Sequence, residues 1–178
     1  MPISEVARLS IQGDVSVNRI VFSGGAASRG PEIHSPAIPF SGSVFGAHGA
    51  TPGRLVQISA EIPHHCGRFE IDLQDGPGVQ PNNLPFCFNV RFDDPHQGQA
   101  VVRVNRAHGS WGAEERQVPH FPFHKGGRFD MLMLIEHHEV KVAINGAHYI
   151  AYHLKSPLHE INHLGISGDI HVHSIRVF

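Results

Sequence analysis

Short segments in which apolar and polar residues alternate are the feature that most constrains the fold of this chain. Alternation with a period of two places successive side chains on opposite faces of a β-strand, and no stretch of ten or more residues shows a clear helical period. Turn-forming pairs separate the segments, and Asn145-Gly146 after an apolar strand is a strong hairpin signal. We therefore predict an all-β fold in which short antiparallel strands form a sandwich. The alternating segments cover residues 55–62, 68–73, 86–92, 101–104, 129–135, 140–144 and 170–178.

The composition limits the partners that can be expected. A length of 178 residues suits one domain with a short appendage, and the formal net charge of −2 includes no long basic run that could follow a phosphate backbone. No apolar run is long enough to span a bilayer, and residues 1–25 lack a basic segment followed by an apolar one. The two cysteines do not suggest a disulfide framework. We expect no nucleic-acid binding, no membrane insertion, and a cytosolic location or export without a signal peptide.

An internal repeat indicates how the chain is organised. Residues 5–20 align without gaps to residues 160–175. We predict that residues 1–22 are the last strand of a preceding domain or an extra edge strand, that residues 23–35 are a linker, and that residues 36–178 form a complete domain. A chance similarity between two strand segments is the alternative. An orphan strand exposes apolar side chains and unpaired backbone groups, so we expect it to pair along a sheet edge if it is ordered.

The segment 86–92 combines a core-facing side with a polar one. By strict alternation, Phe88 and Val90 point toward the core, and Cys87, Asn89 and Arg91 share the opposite face. Asn89 can donate and accept hydrogen bonds, and the Arg91 guanidinium is a rigid fork of donors. This face is therefore suited to a ligand that carries many hydroxyl groups.

A second polar group follows about twenty residues later along the chain. Glu114 and Arg116 share a face, and Trp111 lies in the turn before them. A hexose offers hydroxyls, which donate and accept, together with an apolar patch of C–H groups. Arg116 and Glu114 can address the hydroxyls, and Trp111 offers a flat face for the C–H patch. Together with the first group, they predict a sugar-binding site. Ion pairs on a solvated face are the alternative for the charged residues, and an ordinary turn or packing position is the alternative for Trp111.

These residues resemble the sugar-binding pattern of the galectin family, and the resemblance covers nearly all of residues 36–178. It implies a jelly-roll of two antiparallel sheets, with the sugar lying across the concave one. It also implies binding of β-galactosides such as lactose or N-acetyllactosamine on glycoproteins or glycolipids, with no metal, cofactor or catalysis. With the repeat, it suggests the C-terminal domain of a tandem galectin, present in the cytoplasm and outside the cell. Further matching segments are Ile38-Pro39-Phe40-Ser41-Gly42, 52–58, 68–74, Phe121-Pro122-Phe123 and 142–148.

Carried over residue by residue, the resemblance assigns sugar binding to a set of five positions. Each of them matches the residue type that the family uses at that place in its motif. We expect these side chains to converge on one face of the concave sheet. The five are Asn89, Arg91, Trp111, Glu114 and Arg116.

Two positions depart from the family pattern. The family usually has His-x-Asn-x-Arg, and Cys87 stands where the histidine would be. The family's second asparagine usually precedes the tryptophan by seven residues, where this chain has Val104, and Asn105 comes one residue late. We keep Cys87 and Asn105 as candidate sugar-binding residues, although Asn105 reaches the groove only if a bulge or an early strand end re-aims it. Each lost hydrogen bond is worth about 1 kcal/mol, so we expect weakened or altered binding.

A metal site and a catalytic site are two other functions that residue types in this chain could serve. His171 and His173 share a strand face and could supply half of a metal site, but no second half is evident and we expect no metal. Cys87 as a nucleophile would need an oriented base, which is not identifiable, and no carboxylate pair or triad indicates an enzyme. The alternative to a lectin is therefore a galectin-like structural or protein-interaction domain that has lost galactoside binding.

Overall fold

The computed structural model describes residues 30–178, which form two antiparallel sheets of six strands each. The predicted all-β class and the two-sheet sandwich are confirmed. The first sheet pairs strands from both ends of the described chain, with β3 between β12 and β8. In spatial order it contains β1 (Glu32–His34), β12 (His171–Val177), β3 (Arg54–Glu61), β8 (Arg128–Ile135), β9 (Glu139–Ile144) and β10 (Ala147–His153).

The second sheet has two long central strands and short strands at its edges. Its two outermost strands contain only three and two residues. Short edge strands limit the backbone groups that are open to pairing with another chain. In spatial order this sheet contains β2 (Phe40–Gly42), β11 (His163–Gly168), β4 (Arg68–Gln74), β5 (Leu84–Asp94), β6 (Gly98–Ala107) and β7 (Ser110–Trp111).

The core lies between the two sheets and is built by the alternation that the sequence shows. Ile58 in β3, Phe69 and Ile71 in β4, and Phe88 in β5 are fully buried members of one apolar cluster. Phe69 stacks on Phe129 of the facing sheet, with ring centroids 5.7 Å apart. Burying each such side chain contributes about 2 kcal/mol, so the face that each strand turns inward is strongly determined.

The N-terminal part of the described chain adds an edge strand. β1 pairs with β12, and its residues fall within the segment predicted as a linker. The predicted strand of residues 1–22 lies outside the described residues. Within residues 30–178 the one helical segment is a 3-10 turn, Leu158–Glu160, and no helix there is long and apolar enough to cross a membrane.

Candidate functional site

The predicted polar residues of β5 lie on the outer face of the second sheet, which points away from the core. In the pairing with β4, Asn89 lies opposite Glu70, and Cys87 lies opposite Asp72. Directly opposite residues in an antiparallel pair project to the same side of the sheet. These four side chains therefore share the outer face. Phe88, between Cys87 and Asn89 in the sequence, packs in the core.

Four predicted residues meet around a fifth that was not predicted. Nε of Arg91 donates to Oδ1 of Asn89 at 2.9 Å, and Nε of Arg116 donates to Oε2 of Glu114 at 2.8 Å. Oδ2 of Asp94 accepts from both guanidinium groups, at 3.3 Å from Arg91 and 3.1 Å from Arg116. Nη2 of Arg91 also lies 4.0 Å from Oε1 of Glu114. We call these five residues the arginine cluster.

Asp94 is the residue of this cluster that the sequence pattern did not reveal. It is buried, and its Oδ1 accepts the backbone N–H groups of His96 and Gln97 at 3.0 Å each. Burial alone would raise the pKa of Asp94, but these amide donors and Arg116 outweigh it and lower the pKa well below its usual value. A register shift between Arg91 and Asp94 breaks the alternation there, so its orientation could not be read from the pattern.

Trp111 supplies an aromatic surface at the edge of the same sheet, next to Arg106. It lies in β7 opposite Arg106 of β6, and the Arg106 guanidinium carbon is 5.3 Å from the centroid of the indole ring. The residue remains 46% exposed, which is unusual for a large apolar side chain. The ring is therefore held in place and is still accessible to a ligand.

The end of the outer face that lies away from Asp94 is closed. Cys87 and Val104 pair directly and are 1% and 6% exposed. Gln80, in the loop between β4 and β5, spans this region: its Nε2 donates to Oε2 of Glu70 at 3.0 Å, and its carbonyl accepts from Nη1 of Arg106 at 2.6 Å. Because Glu70 belongs to β4 and Arg106 to β6, Gln80 crosses over β5. We call this contact the Gln80 bridge.

The closed end is also electrostatically different from the arginine cluster. Burial, with a smaller contribution from Glu70, raises the pKa of Asp72 to about 8. Burial, followed by the nearby carboxyl groups of Asp72 and Glu70, raises the pKa of the Cys87 thiol. Asp72 and Cys87 are therefore both neutral over much of the physiological pH range. Asn89 links the two ends, since its amide donates to Oε1 of Glu70.

Asn105 is not brought to the outer face. In the pairing of β5 with β6, Cys87 lies opposite Val104 and Leu84 lies opposite Arg106, so the extra residue of the bulge belongs to β5. The alternation of β6 is therefore unbroken, and Asn105 points away from the face that Val104 and Arg106 share. The Asn105 carbonyl accepts from the Gly112 amide at 2.8 Å and pairs β6 with the chain after β7.

Comparison with known proteins agrees with this architecture. The family profile described as galactoside-binding lectin matches residues 39–177. Human galectin-12 is 33% identical over 146 residues, which cover 82% of this chain and 42% of that protein. A 32 kDa beta-galactoside-binding lectin of Caenorhabditis elegans is 30% identical over 177 residues, or 99% of this chain and 56% of that protein. The crystal structure of Caenorhabditis elegans galectin LEC-6 superposes with a TM-score of 0.69 at 25% identity, covering 83% of this chain and 95% of that one.

The fold is therefore that of a two-sheet β-sandwich of the lectin class. The chain belongs to the galectin family, as the profile match and these relatives show. It spans about half the length of the curated relatives it matches.

Proposed function

We propose that residues 36–178 bind β-galactosides of the lactose and N-acetyllactosamine type on the outer face of the second sheet, without catalysing a reaction. The observation that carries this proposal is the arginine cluster. Asp94 holds two guanidinium groups in fixed positions, and the Arg91 and Arg116 side chains are still 19% and 26% exposed. Donors that are already oriented lose little conformational entropy when a ligand binds.

The chemistry of the exposed part of the face fits a galactoside. Arg91 and Arg116 can donate to sugar oxygens, and Glu114, whose side chain is 43% exposed, can accept from a hydroxyl. Trp111 offers its ring to the C–H face of the sugar. All four groups act by hydrogen bonding and stacking, so the site needs no metal or cofactor for this task.

The residues of the closed end support a weakened affinity for galactosides or an altered preference among them. The thiol of Cys87 is a poor hydrogen-bonding group, and Val104 offers none. Each hydrogen bond that a sugar hydroxyl fails to make there costs about 1 kcal/mol, or roughly a factor of five in affinity. We therefore expect binding that depends mainly on the arginine cluster and Trp111.

Titration calorimetry with lactose tests the proposal. Arg91→Ala and Glu114→Ala should each weaken binding about tenfold or more, because hydrogen bonds to charged groups are worth about 1.5–3 kcal/mol. Arg128→Ala is the matched control, because Arg128 lies on the other sheet with its side chain 76% exposed. No heat and no retention on a lactosyl resin at millimolar sugar would contradict the proposal. Equal losses in all three variants would place the binding elsewhere.

A second candidate function is a structural or protein-interaction domain that has lost galactoside binding. The burial of Cys87 and Val104 favours it, since neither side chain is accessible to a sugar at this end of the face. The absence of lactose binding in the same titration, by a protein with an intact fold, would support this candidate.

We also propose that the domain works beside a second galectin domain in a longer chain. The repeat of residues 160–175 in residues 5–20 supports this idea, and so does the alignment with the 32 kDa lectin, which continues over 99% of this chain. Two linked domains would crosslink galactose-containing glycans and gain avidity from the linkage. Agglutination of galactoside-coated beads by the longer chain, and not by residues 36–178 alone, is the expected result.

A further inference from the structure

Three potential ligand groups converge at the closed end of the outer face. One ligand atom each from Glu70, Asp72 and Cys87 lie within 4.8 Å of one another. The register explains the convergence: Asp72 is directly opposite Cys87, and Glu70 is two residues before Asp72 on the same face of β4. Two carboxyl groups and a thiol are thus held close together by the backbone pairing of two central strands.

The buried carboxyl of Asp72 points independently to a missing partner. Asp72 is 3% exposed, and its Oδ1 has no hydrogen-bond partner among residues 30–178. A buried polar oxygen without a partner is costly and is rare in folded proteins. A cation bound there would accept the unused lone pair of Oδ1.

The donor set indicates which cation would fit. Mg²⁺ and Ca²⁺ prefer oxygen donors alone, whereas a thiolate selects softer or borderline ions such as Zn²⁺. We propose that Glu70, Asp72 and Cys87 form a binding site for a thiophilic divalent cation such as Zn²⁺. A cation with three protein ligands keeps an open position for water or another oxygen donor. This proposal does not rest on sugar binding.

The groups around the three ligands set the conditions for binding. The ion displaces the thiol proton of Cys87 and, where it is present, the carboxyl proton of Asp72, and both protons pass to solvent. Arg91, two positions beyond Asn89 on β5, is a positive side chain on the same face as Cys87. Arg106 reaches this end from β6 through the Gln80 bridge. Val104, opposite Cys87, makes one wall apolar.

Glu70 is the least buried of the three ligands. Its two oxygens accept from Asn89 and Gln80, and each retains a second lone pair for a metal. Since Glu70 links this end to Asn89 of the arginine cluster, a bound ion would change the surroundings of the sugar-binding residues. We therefore expect occupancy of the site to alter any lactose affinity that the protein has.

Cadmium titration of the whole chain tests the site, because Cd²⁺ bound to a thiolate gives a ligand-to-metal charge-transfer absorption in the ultraviolet that histidine and carboxylate ligands do not give. The wild-type protein should develop this band with one equivalent of Cd²⁺, and excess Zn²⁺ should reverse it. Cys87→Ser should abolish the band. Asp72→Asn should weaken Cd²⁺ binding about tenfold or more, in line with the losses seen when metal sites are perturbed.

Cys66→Ser is the matched control. Cys66 is the second cysteine and is fully buried among core residues, away from the outer face. The band should persist in this variant. A band that is absent from the wild type, that survives in Cys87→Ser, or that is unaffected by Asp72→Asn would overturn the proposal. Lactose binding is read separately, so its absence would not count against the metal site.

Discussion

Two aspartates on the outer face of the second sheet have nearly the same burial and opposite acid–base behaviour. Asp72 is 3% exposed and Asp94 is 4% exposed. Burial raises the pKa of Asp72 to about 8, whereas hydrogen bonds and Arg116 overcome the effect of burial and lower the pKa of Asp94 below its usual range. Burial alone therefore does not decide the charge of either group, and their partners do.

The strand positions explain why the partners differ. Asp72 lies within β4, between β11 and β5, where the neighbouring backbone amides are used by the two ladders. Asp94 lies at the end of β5, where the amides of His96 and Gln97 in the turn are available and point at its Oδ1. One end of the face therefore holds a buried carboxylate with its amide and guanidinium partners, and the other holds a buried carboxyl group that lacks such partners.

Replacing Asp72 tests the neutral side of this comparison and should have the largest effect. In the folded protein Asp72 keeps its proton up to about pH 8, whereas in the unfolded chain it loses the proton near pH 4. The folded state binds more protons between these values, so the free energy of unfolding falls as pH rises through that window. Asp72→Asn cannot ionise and should escape this loss. We expect its stability to rise relative to the wild type by about 3 kcal/mol between pH 5 and pH 8.

Urea denaturation in the presence of a metal chelator measures this difference. Asp130→Asn is the control, because Asp130 is an exposed carboxylate of β8 on the other sheet, and its pH dependence should follow that of the wild type. Parallel curves for Asp72→Asn and the wild type would show that the buried carboxyl is not held neutral in the folded state.

Replacing Asp94 tests the charged side. Asp94→Asn keeps the shape of the side chain and removes the negative charge that holds Arg91 and Arg116, so the two guanidinium groups should repel each other and lose their fixed orientation. We expect lactose affinity, measured by calorimetry, to fall about ten- to thirtyfold. Asp93→Asn is the control: it is the adjacent residue, its side chain is 54% exposed, and it pairs only loosely with Arg68 at 3.4 Å. If Asp94→Asn and Asp93→Asn bind lactose with equal affinity, Asp94 does not contribute to sugar binding.

The fold was largely predictable because alternation reports directly on a two-sided strand. It correctly predicted that Phe88 faces the core, and the strand predicted in 68–73 corresponds to β4. β10 was not among the alternating segments. A register shift between His148 and Ile150 explains the omission, because a bulge interrupts the period of two.

The site was predictable where side chains alternate regularly, both on β5 and in the segment of Glu114 and Arg116, which lies outside the named strands. The pattern placed Asn89 and Arg91 on one face, and the structure has them there in contact. Asp94 was not predicted, because a register shift changes the direction of its side chain. It also precedes a proline, and an aspartate in that position is typical of a turn. The Gln80 bridge was not predicted either. The path of its loop is set by tertiary contacts, such as those with Glu70 and Arg106, and no local sequence pattern encodes them.

Opening the Gln80 bridge should have the smallest effect and tests whether the closed end limits sugar binding. Gln80→Ala removes the hydrogen bond to Oε2 of Glu70 and frees that oxygen to accept from a sugar hydroxyl, while the backbone contact with Arg106 remains. Because only half of the bridge is lost, we expect lactose affinity to rise by about threefold, less than one full hydrogen bond would give. Gln99→Ala, an exposed position on β6, should leave the affinity unchanged. If Gln80→Ala instead binds lactose no more tightly than the wild type, the Gln80 bridge is part of the binding surface and not a barrier to it. The boundary between the two ends of the face would then lie closer to Cys87.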